Sequence, residues 1–188
     1  MNSKLNVESF FDYETNTVSY IVIDKNSNKC AIIDSVLDFD YFSGNISYIN
    51  AEKLILFIKN NNLELQWLIE THVHADHLSA APYIKKQLGG KIGISSKIIE
   101  LQKIFGKVFN YGTEFEMDGS QFDLLFNDGD TYKIGGLECK TILTPGHTPE
   151  CMTHLIEDSA FVGDTLFMPD GGTARADFPG GSADELYN

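Results

Sequence analysis

The strongest constraint on this chain is the stretch from Leu68 to His77, where an apolar run, Leu68-Ile69, breaks into Thr71-His72-Val73-His74-Ala75-Asp76-His77. Four metal-capable side chains, His72, His74, Asp76 and His77, fall within six residues. In extended backbone alternate side chains share a face, so His72 and His74 can address one point while a bend carries Asp76 and His77 towards a second. Imidazole with carboxylate suits zinc or iron and does not suit calcium, which takes oxygen ligands. Chance composition does not account for the cluster: three of the five histidines lie in it, between a strand-like run and a helix-like one. Leu65 to Glu70 reads as the buried strand that delivers the block from its C-terminal end, where open α/β sheets place their ligands.

The rest of the chain is read around that strand. At 188 residues it is expected to be one domain, 1–188, with a core large enough to need no staples. The formal charge of −13, from 27 acidic against 14 basic residues, argues against nucleic acid or an anionic membrane as partner. Cys30, Cys139 and Cys151 form no C-x-x-C pair, which suggests neither a disulfide framework nor a zinc knuckle and fits a reduced, cytoplasmic location. No apolar stretch approaches the ~18 residues of a membrane span, and residues 1–8 hold no signal-like core.

Val18 to Ile23, the polar Lys25-Asn26-Ser27-Asn28 and Cys30 to Ile33 have the pattern of a hairpin. Val36 to Tyr48 lacks a period and is assigned to a loop. Leu54, Ile55, Phe57 and Ile58 recur at helical spacing, so a helix is expected from about residue 50 to Asn60. Ser79 is expected to cap a helix that tolerates Pro82 in its first turn and stops at Gly89-Gly90. A strand over Lys91 to Ser95, a helix over Lys97 to Phe105 and a surface loop over Tyr111 to Asp123 follow. Asp128 and Asp130 are assigned to turn chemistry in Asn127-Asp128-Gly129-Asp130.

Two further strand ends carry candidate ligands. The strand Leu137 to Leu143 runs into Thr144-Pro145-Gly146-His147-Thr148, and Ala160-Phe161-Val162 runs into Gly163-Asp164-Thr165. His72, His147 and Asp164 together would form a two-histidine, one-carboxylate face, the arrangement of non-haem Fe(II) oxygenases. Adding His74, Asp76 and His77 would instead allow two metals bridged by Asp164, the arrangement that activates water for hydrolysis. The residues permit both. No catalytic side chain beyond the ligands is indicated, and His154, in an apolar strand, is read as structural. In the Gly-rich stretch 171–181, Arg175 either takes a substrate carboxylate by a bidentate contact or braces the loop by pairing with Asp177.

Taken together, His72-x-His74-x-Asp76-His77, Pro145-Gly146-His147-Thr148 and Gly163-Asp164-Thr165 resemble, in order, the blocks of the metallo-β-lactamase superfamily. That resemblance implies an α+β fold, an αβ/βα sandwich of two mixed β-sheets flanked by helices, with a metal cleft along one edge. Glu70 to Pro82 and Arg175-Ala176-Asp177-Phe178 are more similar to the persulfide dioxygenases of that superfamily than to glyoxalase II. This implies one Fe(II) on His72, His147 and Asp164, with His74, Asp76 and His77 supporting it or vestigial, and Arg175 and Asp177 near a glutathione subsite. Glutathione persulfide and O₂ are then the small-molecule partners, and a homodimer is left open. Glyoxalase II, a hydroxyacylglutathione hydrolase with two Zn(II), is the alternative. The resemblance also implies a C-terminal helix-strand portion and a further histidine that are not found before Asn188. Ser182 to Glu185 reads as a capping box at the start of a helix.

Overall fold

The computed structural model describes residues 4–188, which fall into two compact units. The first takes the chain up to Glu70, with His74–Ile92 and Lys133–Glu138. It begins with β1 (Leu5–Asp12), β2 (Thr17–Asp24) and β3 (Lys29–Ile33), an antiparallel meander. Its tight turns place Asn16 and Asn28 at φ +59° and +55°, a region asparagine tolerates. The hairpin expected over residues 18–33 is therefore present, and β1 adds a strand to it.

The segment expected to be a loop is largely strand. β4 (Val36–Asp40) pairs with β5 (Asn45–Ser47) on one side and, further along the chain, with the two-residue strand β7 (Leu78–Ser79) on the other. These strands are short and mostly open to solvent, so they carry no alternation from which to read them. Between them lies α1 (Ile49–Asn60), which buries Ala51, Leu54, Ile55 and Ile58 at helical spacing. It provides the crossover that lets β6 (Glu64–Ile69) lie parallel to β3, with Ile33 beside Ile69.

After β7, α2 (Ala81–Leu88) starts with Pro82 in its first turn and ends at Gly89, φ +78°. Ser79 is not its cap residue, because it belongs to β7. Its Oγ nevertheless accepts from the Ala81 amide (3.1 Å) and donates to Glu70 (2.6 Å).

The second unit comprises Thr71–Val73, Gly93–Tyr132 and Cys139–Asn188. β8 (Lys91–Ser95) enters it at Gly93 and leads to α3 (Ile98–Val108), which ends three residues later than expected. β9 (Leu124–Phe126) then runs parallel to β8. Ile94, Ile98 and Leu101 form a small core there, packed by Phe105, Phe122 and Leu125. β10 (Thr131–Ile134), β11 (Leu137–Leu143), β12 (Met152–Ile156) and β13 (Ser159–Phe161) follow as successive neighbours. A single 3₁₀ turn covers Gly163–Thr165, and α4 (Ala183–Tyr187) is capped by Ser182, whose Oγ accepts from the Glu185 amide (3.3 Å). No helix among the described residues is long and apolar enough to cross a membrane.

Candidate metal centre

In the second unit, His72, His147 and Asp164 are brought together from three separate stretches of chain, their donor atoms all within 4.8 Å of one another. His72 Nε2 lies 3.8 Å and His147 Nε2 3.5 Å from Asp164 Oδ2. The two imidazoles meet edge to face, with centroids 5.1 Å apart. Both histidines are buried, and the Asp164 side chain keeps 35% of its surface exposed, so the group opens on its carboxylate side.

Each ligand has a cause for its position. The segment bearing His72 is bonded on both sides: the Met152 amide donates to the Thr71 carbonyl (2.9 Å), and the Val73 amide donates to Glu150 Oε1 (3.1 Å). Burial pushes the Glu150 carboxyl upward, only partly offset by the Val73 amide. Thr71 Oγ1 pairs with His72 Nδ1 (3.0 Å). His147 sits on the expected Pro-Gly turn, where Gly146, at φ +138°, is packed so closely on Leu186 that a side chain there would meet it at 2.5 Å. His147 Nδ1 donates to the carbonyl of Arg175 (2.7 Å), and its ring edge meets Phe178. A carbonyl only accepts, so Nδ1 carries a proton and Nε2 is the ring nitrogen that faces Asp164. Two nitrogens and one carboxylate, with the outer ring nitrogens engaged, is a donor set fitted to a transition metal.

The first unit holds a second group. His74, Asp76 and His77 offer donor atoms within 4.8 Å, and so do Asp34, Glu70 and His74. His74 Nε2 lies 3.1 Å from Asp34 Oδ1 and 3.4 Å from Glu70 Oε2. Burial would lower the His74 pKa, but the charges of Asp34 and then Glu70 prevail and raise it well above the ordinary imidazole value. His74 also stacks on His77 at 4.1 Å. The Asp76 carboxylate accepts from Thr17 (2.9 Å), and its carbonyl accepts from the Tyr41 hydroxyl (3.3 Å).

Arg175 and Asp177 form an exposed bidentate pair, Nε to Oδ1 at 2.5 Å and Nη2 to Oδ2 at 2.7 Å. Of the two roles open to them, mutual pairing is the one observed. His154 is buried beside the Tyr132 hydroxyl (3.0 Å), consistent with a structural role. Asp128 and Asp130 accept main-chain amides at Leu143 and Asn127, as turn residues do. Sequence reasoning passed over Asp34, Glu70, Glu150 and the carbonyl of Arg175. Asp34 and Glu70 each left a local signal, an acid at the end of an apolar strand.

The sequence model of the metallo-beta-lactamase superfamily matches residues 13–188. The chain belongs to that superfamily. A probable metallo-hydrolase of Burkholderia pseudomallei is 51% identical over 97% of this chain and 66% of its own length. Glyoxylase B2 of Dictyostelium discoideum is 49% identical over 100% of this chain and 65% of its own. The mitochondrial persulfide dioxygenase ETHE1 of Homo sapiens is 29% identical over 97% of this chain and 60% of its own. Among solved structures, ETHE1 from Myxococcus xanthus superposes with a TM-score of 0.74 at 24% identity, covering 97% of this chain and 66% of that one, which shows the fold. This metallo-β-lactamase-fold chain, with its mixed sheets and helices, thus spans 60% to 66% of the length of these three curated relatives. It is a member of the superfamily with donor groups fitted to a metal ion.

Proposed function

We propose that this chain carries the one-metal centre of a non-haem Fe(II) persulfide dioxygenase, held by His72, His147 and Asp164. The observation that carries this reading is the donor set: two imidazoles and one carboxylate converge, while His74 turns Nε2 to Asp34 and Glu70. A bound Fe(II) would supply redox chemistry between sulfur and O₂. The protein's own part is orientation. Arg175 fixes the tautomer of His147 through its carbonyl, Thr71 and the two flanking amide bonds fix His72, and Gly163 lets the Asp164 turn approach Thr71. In the overall reaction a persulfide, O₂ and water give a thiol, sulfite and two protons; the S–S bond breaks and the outer sulfur loses four electrons to O₂. If glutathione persulfide is the substrate, its carboxylate competes with Asp177 for Arg175. The test is anaerobic iron loading followed by measurement of iron per chain, O₂ uptake and sulfite release with glutathione persulfide. One iron per chain with no O₂ uptake would overturn the reading.

A second reading is a two-zinc thioester hydrolase of glyoxalase II type, in which water adds to the thioester carbonyl and the thiol leaves. Its support is the second donor group, His74, Asp76 and His77, and the names of the two relatives near half identity, which favour it over the dioxygenase. Two zinc ions per chain with hydrolysis of S-lactoylglutathione would replace the first reading by this one.

A further inference from the structure

In the second unit α3 ends in a row of rings. Phe105 meets Phe109 with centroids 5.7 Å apart, Phe109 meets Tyr111 at 5.8 Å, and Tyr111 meets Phe115 at 5.2 Å. The row thus runs from the helix onto the loop that follows it. That loop is a built surface. The Tyr111 amide donates to the Gly106 carbonyl (3.0 Å), and Gly106 is packed so closely on Met117 Sδ that a side chain there would clash. The buried Gln102 accepts from the Gly119 amide (3.0 Å) and donates to Gln121 (2.9 Å), whose own amide group donates to the Glu116 carbonyl (2.7 Å). Both ends of the loop are therefore held on α3, and its rings still face water.

Phe109, Tyr111 and Phe115 are 60%, 45% and 37% exposed, and Val108 is exposed next to Phe109. At about 200 Å² for a ring side chain, the three rings leave roughly 300 Å² of apolar surface open, the scale at which a patch marks an interaction site. Charge decides which partner fits. Lys103 and Lys107, one turn apart on α3, stand at the helix end of the row, and Glu114 and Glu116 flank Phe115 at the loop end. All four are exposed, and no ion pair among the described residues engages them. An apolar row that is basic at one end and acidic at the other is complementary to itself turned through half a rotation. A purely acidic or purely basic partner would match only one end. Two copies related by that rotation lay ring on ring and set each copy's lysines against the other's glutamates. With Val108 and the stems of the charged side chains, the pair covers about 1,000 Å², at the lower bound of specific interfaces, which fits a reversible dimer.

We propose that this face joins two copies of the chain about a two-fold axis through the aromatic row. The dimer does not depend on which reaction the metal centre performs. Sedimentation equilibrium of the full chain at about 0.15 M salt, which screens charges more than about 8 Å apart, is expected to show monomer and dimer exchanging with a Kd of roughly 1–100 μM. Phe109→Ser, at an exposed position, is expected to weaken the dimer at least about tenfold. Charge reversal tests the pairing itself. Lys103→Glu with Lys107→Glu makes both ends of the row acidic, and Glu114→Lys with Glu116→Lys makes both basic. Each reversed chain alone is expected to keep its far-UV dichroism and to dimerise at least about tenfold more weakly, because attraction at every contact becomes repulsion. Mixed in equal amounts, the two reversed chains are expected to form a heterodimer with a Kd within about threefold of the parent's. Such recovery also shows that neither fails through misfolding. A parent chain still monomeric at about 1 mM would leave the face to a different protein and overturn the proposal. A dimer indifferent to Phe109→Ser or to charge reversal, or folded reversed chains that do not recover on mixing, would overturn it as well.

Discussion

Replacing Gly163 by Ala tests how tightly the metal ligands are built into the second unit. Gly163 has φ +51°, a conformation that costs a residue bearing a Cβ about 1–2 kcal/mol. A Cβ there would run into Thr71 Oγ1, reach Thr71 Cβ at 2.8 Å and come within 3.3 Å of His72 Nδ1. Thr71 is only 1% exposed and bonded through its carbonyl to Met152, so it cannot step aside, and overpacking of this kind adds about 1–3 kcal/mol. The total is about 2–5 kcal/mol. Gly172→Ala isolates the backbone part, because Gly172 has φ +73° and open space around it; about 1–2 kcal/mol is expected there. Both variants are compared by urea unfolding, and metal content is measured in parallel. Gly163→Ala is expected to be the less stable and to lose metal, whereas Gly172→Ala retains it. If the two were equally stable, the close approach of Gly163 to Thr71 would not constrain the centre. Adding Thr71→Ala to Gly163→Ala is expected to restore part of the stability, since the atom in the way has gone.

Other consequences are read more directly. Thr71→Val removes the partner of His72 Nδ1 and is expected to weaken metal affinity by about 10–100-fold in a chelator competition, with far-UV dichroism unchanged. The buried Asp24 carboxyl is pushed up by burial, but Ser27 (2.6 Å) and the amides of Gly136 (2.7 Å) and Asn26 (2.9 Å) outweigh this and hold it below its ordinary value of 3.8. A depressed carboxyl stabilises above its unfolded pKa and loses that contribution as pH falls through its folded pKa. Asp24→Asn is therefore expected to cost about 1.5–3 kcal/mol at pH 7 and progressively less below about pH 4 in urea unfolding series. None of the three cysteines forms a disulfide and all are buried, with the Cys30 and Cys151 thiols each pushed by burial to about 12. Native protein is expected to show no fast reaction with a disulfide reagent at pH 8, and all three thiols are expected to react after denaturation.

The centre was more legible in the sequence than the structure around it. His72, His147 and Asp164 each lie three or four residues past the end of a strand, so their convergence follows from where strands deliver the chain. His74 and the acids that hold it are separated by up to 40 positions along the chain, and no local pattern links Asp34 to His74. The part Arg175 plays is harder still to read, since it acts through a carbonyl that any residue would supply. The β4–β5 hairpin escaped because β4 is matched to β7, far along the chain, and its own residues are too exposed to alternate. Helices with a buried stripe and a glycine or asparagine stop, such as α1 and α2, were placed to within a residue or two.

The two amide bonds that flank His72 also decide when the entropy of assembling the centre is spent. Because Thr71 is tied to Met152 and Val73 to Glu150, the histidine is immobilised as the chain folds. Ion capture then has little ordering left to do at this ligand. Metal uptake and release would proceed as exchange at a standing site, and stripping the ion would leave the Val73 and Met152 amides as slow to exchange with solvent deuterium as before.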